Sequence, residues 1–242
     1  MSYSQRLLQQ GTSLTRLAHQ SRFKVVLDLL EETCYEKALD YGCGDGWLLK
    51  TAYEQQRIKT GIGVDVDDYM LNACAENLQG IADLQYCFPH NLAQFLEPQS
   101  CDLFVCTETL EHVNKIEQVF DLVLPYCKPQ ATFIISVPLE VGPSLLFKQI
   151  GRYFANLKGN YGYERYTPKE LFSAAILWDV ESFPSSHSLD AELKGHKGFN
   201  YQKVERILQN RLTITRKIFS PFPWFNHFIN STVIWVCKNR DE

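Results

Sequence analysis

A chain of 242 residues, 45% apolar and 21% charged, can bury a full core and is too apolar to be wholly disordered. Its 24 basic and 28 acidic residues give a net charge of −4, which excludes the global polycation of a nucleic-acid-coating protein. The charge is uneven: residues 1–140 carry net −9 and residues 141–220 net +5, so the two parts face either different partners or only solvent.

In chain order, Leu14, Leu17, Ala18, Val25, Val26, Leu29 and Leu30 recur near a period of 3.6 and predict a helix over 14–32. A strand at 37–41, a glycine turn and a helix over 46–56 follow, then a strand at 60–65 and a helix at 68–78. Further strands are predicted at 84–88, 103–107 and 131–137, with a helix over 115–125 between the last two. Strands alternating with helices build βαβ units and a parallel sheet. The pattern breaks after Pro138. Residues 139–199 are mixed and rich in Tyr and Phe, and within them Thr167-Pro168-Lys169-Glu170 reads as an N-cap, a proline at N1 and a capping-box glutamate. A segment this long carries its own structure or acts as a lid. A helix at 201–210 and strands at 211–219 and 231–237 close the chain. Between those strands the Phe/Pro/Trp-rich stretch 219–229 either caps a pocket or touches a membrane surface.

The eight cysteines (34, 43, 74, 87, 101, 106, 127, 237) form no C-x-x-C pair and several lie in apolar runs, which predicts reduced thiols in a cytoplasmic protein and no zinc site. The first residues lack an apolar h-region, so no secretory signal is expected. No apolar run approaches the roughly 18 residues of a membrane span.

The strongest local signal is Asp40-Tyr41-Gly42-Cys43-Gly44-Asp45-Gly46, between a predicted strand and a predicted helix. Alternate glycines let the backbone turn tightly and approach a ligand, and the helix behind offers free N–H groups. A dinucleotide fingerprint would need glycine at 47, where Trp47 stands, and a P-loop would need Lys-Ser or Lys-Thr after Gly46. Nineteen residues on, Gly61-Ile62-Gly63-Val64-Asp65 ends the second strand in a carboxylate able to accept from both hydroxyls of a ribose. Asp67 and Asp68 are solvated or cap the next helix. A third signal runs from Cys101 to Val113 and ends Leu110-Glu111-His112-Val113.

These motifs, in this order over residues 37–138, resemble the class I S-adenosylmethionine (SAM)-dependent methyltransferases; the Leu-Glu-His-Val stretch is similar to that of the ubiquinone/menaquinone-biosynthesis-like branch. The resemblance implies an α/β fold: a Rossmann-like, doubly wound, seven-stranded sheet, mostly parallel with one antiparallel strand near the C-terminus, plus a helical insertion. It divides the chain into an N-terminal helical segment (1–35), a SAM-binding core (36–138), an insertion or lid for substrate recognition (139–199) and a C-terminal helix with two strands (200–242). It implies SAM as cofactor and S-adenosylhomocysteine as product. Cofactor-binding residues would be Asp40, Tyr41, Gly42, Cys43, Gly44, Gly46, Asp65 on the ribose, Val66, Met70, Asn91, Leu92 and Thr107. Tyr69 and Met70 either face the adenine or pack in the core. Where the family often has an acidic residue after strand three, Asn91 serves, or His90 in another alignment. Lys128-Pro129-Gln130-Ala131 replaces the family's glycines in the turn before strand five.

The methyl carbon of a sulfonium is already electrophilic, so a general base is needed only when the acceptor must lose a proton. Glu111, His112 and His196 are the catalytic candidates. Leu-Glu-His-Val is expected to begin a helix, where neighbours i and i+1 diverge, and this favours a capping or anchoring role. No metal-ligand pattern stands out. In the insertion, Tyr153, Phe154, Tyr161, Tyr163 and Tyr166 either wall an apolar pocket or form a small core, and Arg152, Lys158 and Arg165 are placed to receive an anionic group. The expected acceptor is a small molecule with an apolar or aromatic body and an anionic group. The alternatives are a nucleic-acid methyltransferase, against which stands the lack of an Asn/Asp-Pro-Pro-Tyr/Phe signature, and a SAM-binding protein without catalysis.

Overall fold

Strands covered on both faces carry near-continuous apolar runs, and five segments meet that condition: Ala38–Tyr41, Gly61–Val64, Leu103–Cys106, Ala131–Pro138 and Thr232–Cys237 are buried throughout. In the computed structural model, which describes residue 4 and residues 13–30, 33–157, 166–182 and 197–240, they belong to one seven-stranded sheet. Its strands are β1 (Tyr35–Tyr41), β2 (Ile58–Val64), β3 (Leu84–Cys87), β4 (Cys101–Thr107), β5 (Cys127–Pro138), β6 (Leu212–Ser220) and β7 (Thr232–Asn239). The order across the sheet is β3-β2-β1-β4-β5-β7-β6. Strands β1 to β5 pair in parallel, and β7 runs antiparallel to both β5 and β6. The chain winds outward from β1 to β3, then returns past β1 to β4. This reversal opens a crevice at the carboxyl ends of β1 and β4, where open α/β sheets bind their ligands.

Helices cover both faces. On one side α1 (Ser13–Leu30) buries Val26 and Leu30 in a cluster with Leu103, Val105, Ile134 and Ile234, joined by α2 (Trp47–Glu54) and α3 (Asp68–Asn77). On the other, α4 (Ile116–Val123) and α7 (Tyr201–Arg211) lay Val119, Phe120, Val204 and Leu208 against Leu39, Phe104, Phe133 and Trp235. The Phe104 ring sits 5.6 Å from Phe133 and 6.5 Å from Phe120.

Two local expectations are corrected. Leu110-Glu111-His112 does not begin the helix before β5; it forms a separate 3₁₀ turn, after which Val113 is extended and α4 starts anew behind Lys115. The interruption lies at Val113 and Lys115, whose extended backbone (ψ 150° and 107°) separates the turn from α4. Lys128-Pro129-Gln130 is part of β5 rather than the turn before it. The ladder to β4 breaks between the Cys101–Cys127 and Leu103–Thr132 pairs, so Pro129, which has no N–H to donate, falls where no rung is required.

The start of the insertion is built into the sheet's own core. Leu139, Val141, Leu145, Ala174 and Ala175 are completely buried. Helix α5 (Ser144–Leu157) follows β5, and the capping box at Thr167 opens α6 (Pro168–Phe172), which continues as a π turn to Leu177. No described helix is long and apolar enough to cross a membrane. All eight cysteines are free, seven of them buried.

Candidate functional site

The β1–α2 turn sets one wall of the crevice. Gly42 (φ 77°) must stay glycine, because a Cβ there would lie 2.0 Å from Thr109 Oγ1. Gly44 (φ 54°) also needs the left-handed region, and a Cβ there would meet nothing within 4 Å, so this turn residue leaves the cavity it lines open. Gly46 is the N-cap of α2, and its open side faces Cys74 of α3 rather than the crevice. The Asp45 carboxylate accepts from both the backbone N–H (2.8 Å) and the hydroxyl of Ser4, so this residue rests on the turn.

Asp65, one residue past β2, accepts from the Gly44 N–H at 2.8 Å and the Asp67 N–H at 3.0 Å. A carboxylate oxygen offers two lone-pair sites, so each keeps one for a further donor. Asp67 accepts from the Tyr69 N–H and caps α3, as expected. Tyr69 is exposed, whereas Met70 faces the crevice.

Together these elements enclose a cavity of about 530 Å³, a size suited to a cofactor. It brings together Asp40, Tyr41, Gly42, Cys43, Gly44, Asp65, Val66, Met70 and Thr107. Gly46, Asn91 and Leu92 lie outside its wall. Asn91 and Leu92 sit on the 3₁₀ turn Pro89–Gln94, from which Pro89 reaches the cavity, while Leu92 is buried beneath and the Asn91 carboxamide accepts from Gln94. His90 stacks on Phe88 instead.

The cavity is also lined by residues not singled out as site residues from sequence: His19, Arg22 and Phe23 of α1, with Glu108, Thr109 and Val113, beside the expected Glu111 and His112. One trace was legible. Arg22 occupies the stripe that continues as Val26 and Leu30, so the helical period itself buries a guanidinium. Arg22 Nη1 pairs with Glu108 Oε2 at 3.1 Å, and its Nε is buried without a hydrogen-bond partner. Glu108 is held further by the Ser136 hydroxyl, which donates to Oε1 at 3.3 Å. Glu111 is fully buried and neither oxygen finds a donor. Burial first, then the Glu108 charge, holds its pKa well above the usual carboxylate range. His112 Nε2 lies 3.8 Å from Glu111 Oε1. Burial and the adjacent Arg22 push His19 down to about 4, leaving it uncharged. Asp40, buried beneath the glycine turn, is raised to about 7 by desolvation and the Asp65 charge.

The wall therefore holds five carboxyl groups (Asp40, Asp65, Asp67, Glu108, Glu111) against one guanidinium. That balance disfavours a pyrophosphate and suits a ligand carrying a sulfonium and an ammonium. Among the described residues no group of three or more His, Cys, Asp or Glu could hold a metal ion.

Of the insertion aromatics expected to wall a pocket, the two whose side chains are described, Tyr153 and Tyr166, do not line this cavity. Tyr153 is exposed, and the Tyr166 hydroxyl accepts from the Gly198 N–H. Arg152 cannot receive an anionic group as expected: with Lys148 it is bound to the buried Glu140, at 2.8 and 3.0 Å. The side chain of Phe154, and Lys158, Tyr161, Tyr163, Arg165 and His196, lie outside the described residues.

A sequence profile described as a methyltransferase domain matches residues 8–201. The rRNA N(6)-adenosine-methyltransferase metl-5 of Caenorhabditis elegans is 35% identical over 78 residues, 31% of this chain and 36% of that protein. The ubiquinone biosynthesis O-methyltransferase of Saccharophagus degradans is 29% identical over 152 residues, 60% of this chain and 63% of that protein. The chain thus spans less than two thirds of either relative. The N-methyltransferase NodS of Bradyrhizobium japonicum, solved with S-adenosyl-L-homocysteine, superposes with a TM-score of 0.57 at 13% identity, over 98% of this chain and 97% of that one; a likeness at that identity is one of fold.

Proposed function

The chain belongs to the class I SAM-dependent methyltransferases, and from that premise we propose that it methylates a hydroxyl of a small acceptor with an apolar or aromatic body and an anionic group. The reading rests on one observation: a single cavity is lined both by the glycine turn and by Arg22, Phe23, Glu111, His112 and Val113. SAM, when bound, supplies an electrophilic methyl group. Gly42 and Gly44 would accommodate its amino-acid portion, Asp65 its ribose, and Met70 with Pro89 its adenine. Asp40 and Glu108 offset the positive charge.

Phe23 and Val113 offer apolar contact to the acceptor body, and the Arg22 guanidinium, shared with Glu108, is the cation of the wall that would meet its anionic group. The anion site is thus proposed on α1 rather than on the insertion. His112, with a half-exposed side chain, is the proton acceptor for the hydroxyl. Buried Glu111, whose charged form is disfavoured by burial, lies 3.8 Å from it and anchors the turn that carries it. Fixing acceptor and donor in one desolvated cavity contributes the orientation term of the barrier reduction, up to roughly 7–11 kcal/mol.

The test uses SAM carrying a labelled methyl group, offered with hydroxylated aromatic acids, with their uncharged counterparts, and with RNA transcripts. Label is expected in the acidic small molecules, with His112→Ala lowering kcat and Arg22→Lys raising the KM of acids more than that of neutral analogues. Label appearing only in RNA would overturn the reading in favour of a nucleic-acid methyltransferase. Tight S-adenosylhomocysteine binding with no transfer to any class would favour a non-catalytic SAM-binding protein.

A further inference from the structure

Asp45 is completely buried, although it belongs to the turn that carries the glycines of the cavity. A carboxylate out of water has to be met by donors. Trp47, at the start of α2, supplies a long contact, its N–H standing 3.4 Å from Oδ1. Both short contacts come from one residue 41 positions earlier in the chain: the Ser4 N–H donates to Oδ2 at 2.8 Å and the Ser4 hydroxyl to Oδ1 at 2.5 Å. Ser4 is thus the main partner of this charge. It also lines the cavity, together with Cys43 and Gly44, whereas the carboxylate it covers does not.

The elements on either side of this contact are held without it. The Gly44 N–H donates to Asp65 at 2.8 Å, and the Asp45 carbonyl accepts from Asn77 Nδ2 at 2.7 Å, which fixes the turn. Helix α1 is fixed by Val26 and Leu30 in the core, and its Phe23 ring packs edge-on against Trp47 at 5.0 Å. Ser4 has no apolar side chain to bury, so its seat depends on two hydrogen bonds to a single charge. Such a contact opens locally and leaves the sheet behind it intact. The methyltransferase profile begins at residue 8, so Ser4 lies ahead of the stretch shared with the family and the contact is this chain's own.

From this arrangement we propose that Ser4 and Asp45 form a latch at the glycine-turn end of the cavity, and that SAM enters and S-adenosylhomocysteine leaves when it opens. Closed, the latch supplies Asp45 with its donors and adds Ser4 to the wall. Open, it gives the carboxylate to water and clears the turn. The latch bonds to the protein and not to the ligand. It therefore slows entry and exit in proportion and sets residence time more than affinity. The inference rests on the cavity being the cofactor site and is independent of the acceptor.

The experiment is stopped-flow association and dissociation of S-adenosylhomocysteine with the full chain, read by tryptophan emission, beside calorimetry for Kd. Ser4→Ala removes the hydroxyl and keeps the N–H. It should speed both association and dissociation by about tenfold, with Kd within about threefold of wild type and Tm unchanged. Asp45→Asn removes the charge and one accepting oxygen. It should speed both rates at least as much, and Ser4→Ala added to it should change little more. Should Asp45→Asn lose its fold, Ser4→Pro removes both donors from the other side and should exceed Ser4→Ala. Unchanged rates in folded Ser4→Ala and Ser4→Pro would overturn the latch. So would faster dissociation matched by an equal rise in Kd, which would make Ser4 a wall contact only. A wild-type chain that binds no S-adenosylhomocysteine would overturn the cofactor-site reading itself, and the latch with it.

Discussion

Asp40 lies where the first strand meets the cavity, and its protonation links stability to binding. Its folded pKa, raised from 3.8 to about 7, means that the folded protein holds a proton the unfolded chain releases. The favourable contribution is complete below about pH 4 and is lost as pH rises through 7, so the native state bears a cost of up to about 4 kcal/mol above neutrality. Asp40→Asn removes it: the variant's Tm should match wild type near pH 4 and exceed it increasingly up to pH 7, then by a constant amount. Binding should run the other way. The sulfonium of SAM favours ionised Asp40, so wild-type affinity for SAM should climb as pH rises to 7, and in Asp40→Asn this slope should flatten. Thermal melts and titration calorimetry across pH check both signs. A parallel stability profile in wild type and variant would mean that Asp40 ionises normally.

The elements were more legible than the contacts between them. Every strand and most helices could be placed to within a few residues, because apolar runs bounded by glycine, proline and aspartate follow from backbone geometry alone. The glycine turn and Asp65 were legible for the same reason. What sequence did not disclose are features set by neighbours distant in the chain: the space opposite Gly42 filled by Thr109, and the pairing of Arg152 with Glu140. The Arg22–Glu108 pair is the most consequential. It joins α1 to the strap after β4, with both side chains largely buried. Arg22→Met leaves Glu108 unpaired beside Glu111 and should cost about 3–5 kcal/mol. Adding Glu108→Gln should restore much of that. Denaturant unfolding of the two single variants and the double gives the coupling; additive losses would show that the pair contributes nothing as a pair.

At the scale of the whole molecule, the sheet's carboxyl edge gathers pieces from far apart in sequence into one cavity: the α1 residues His19 to Phe23, the glycine turn, the stretch from Asp65 to Met70, and the strap from Thr107 to Val113. If they form one site, a ligand at the glycine turn must be felt by the others. Amide exchange in those segments occurs through local opening, and a ligand that binds only the closed form slows it by the free energy it adds. Saturating S-adenosylhomocysteine should therefore slow exchange in the glycine turn and the Asp65–Met70 stretch most. Segment His19–Phe23 and the Thr107–Val113 strap, tied together through Arg22 and Glu108, should be slowed to a lesser but clear extent. The loop from Pro221 to Asn230 stands on the same edge but lines no part of the cavity, and its exchange should not change. Mass-spectrometric exchange with and without ligand separates the outcomes. Protection confined to the glycine turn and Asp65–Met70 would mean that the Arg22 end is a separate compartment and that α1 takes no part in holding the reactants together.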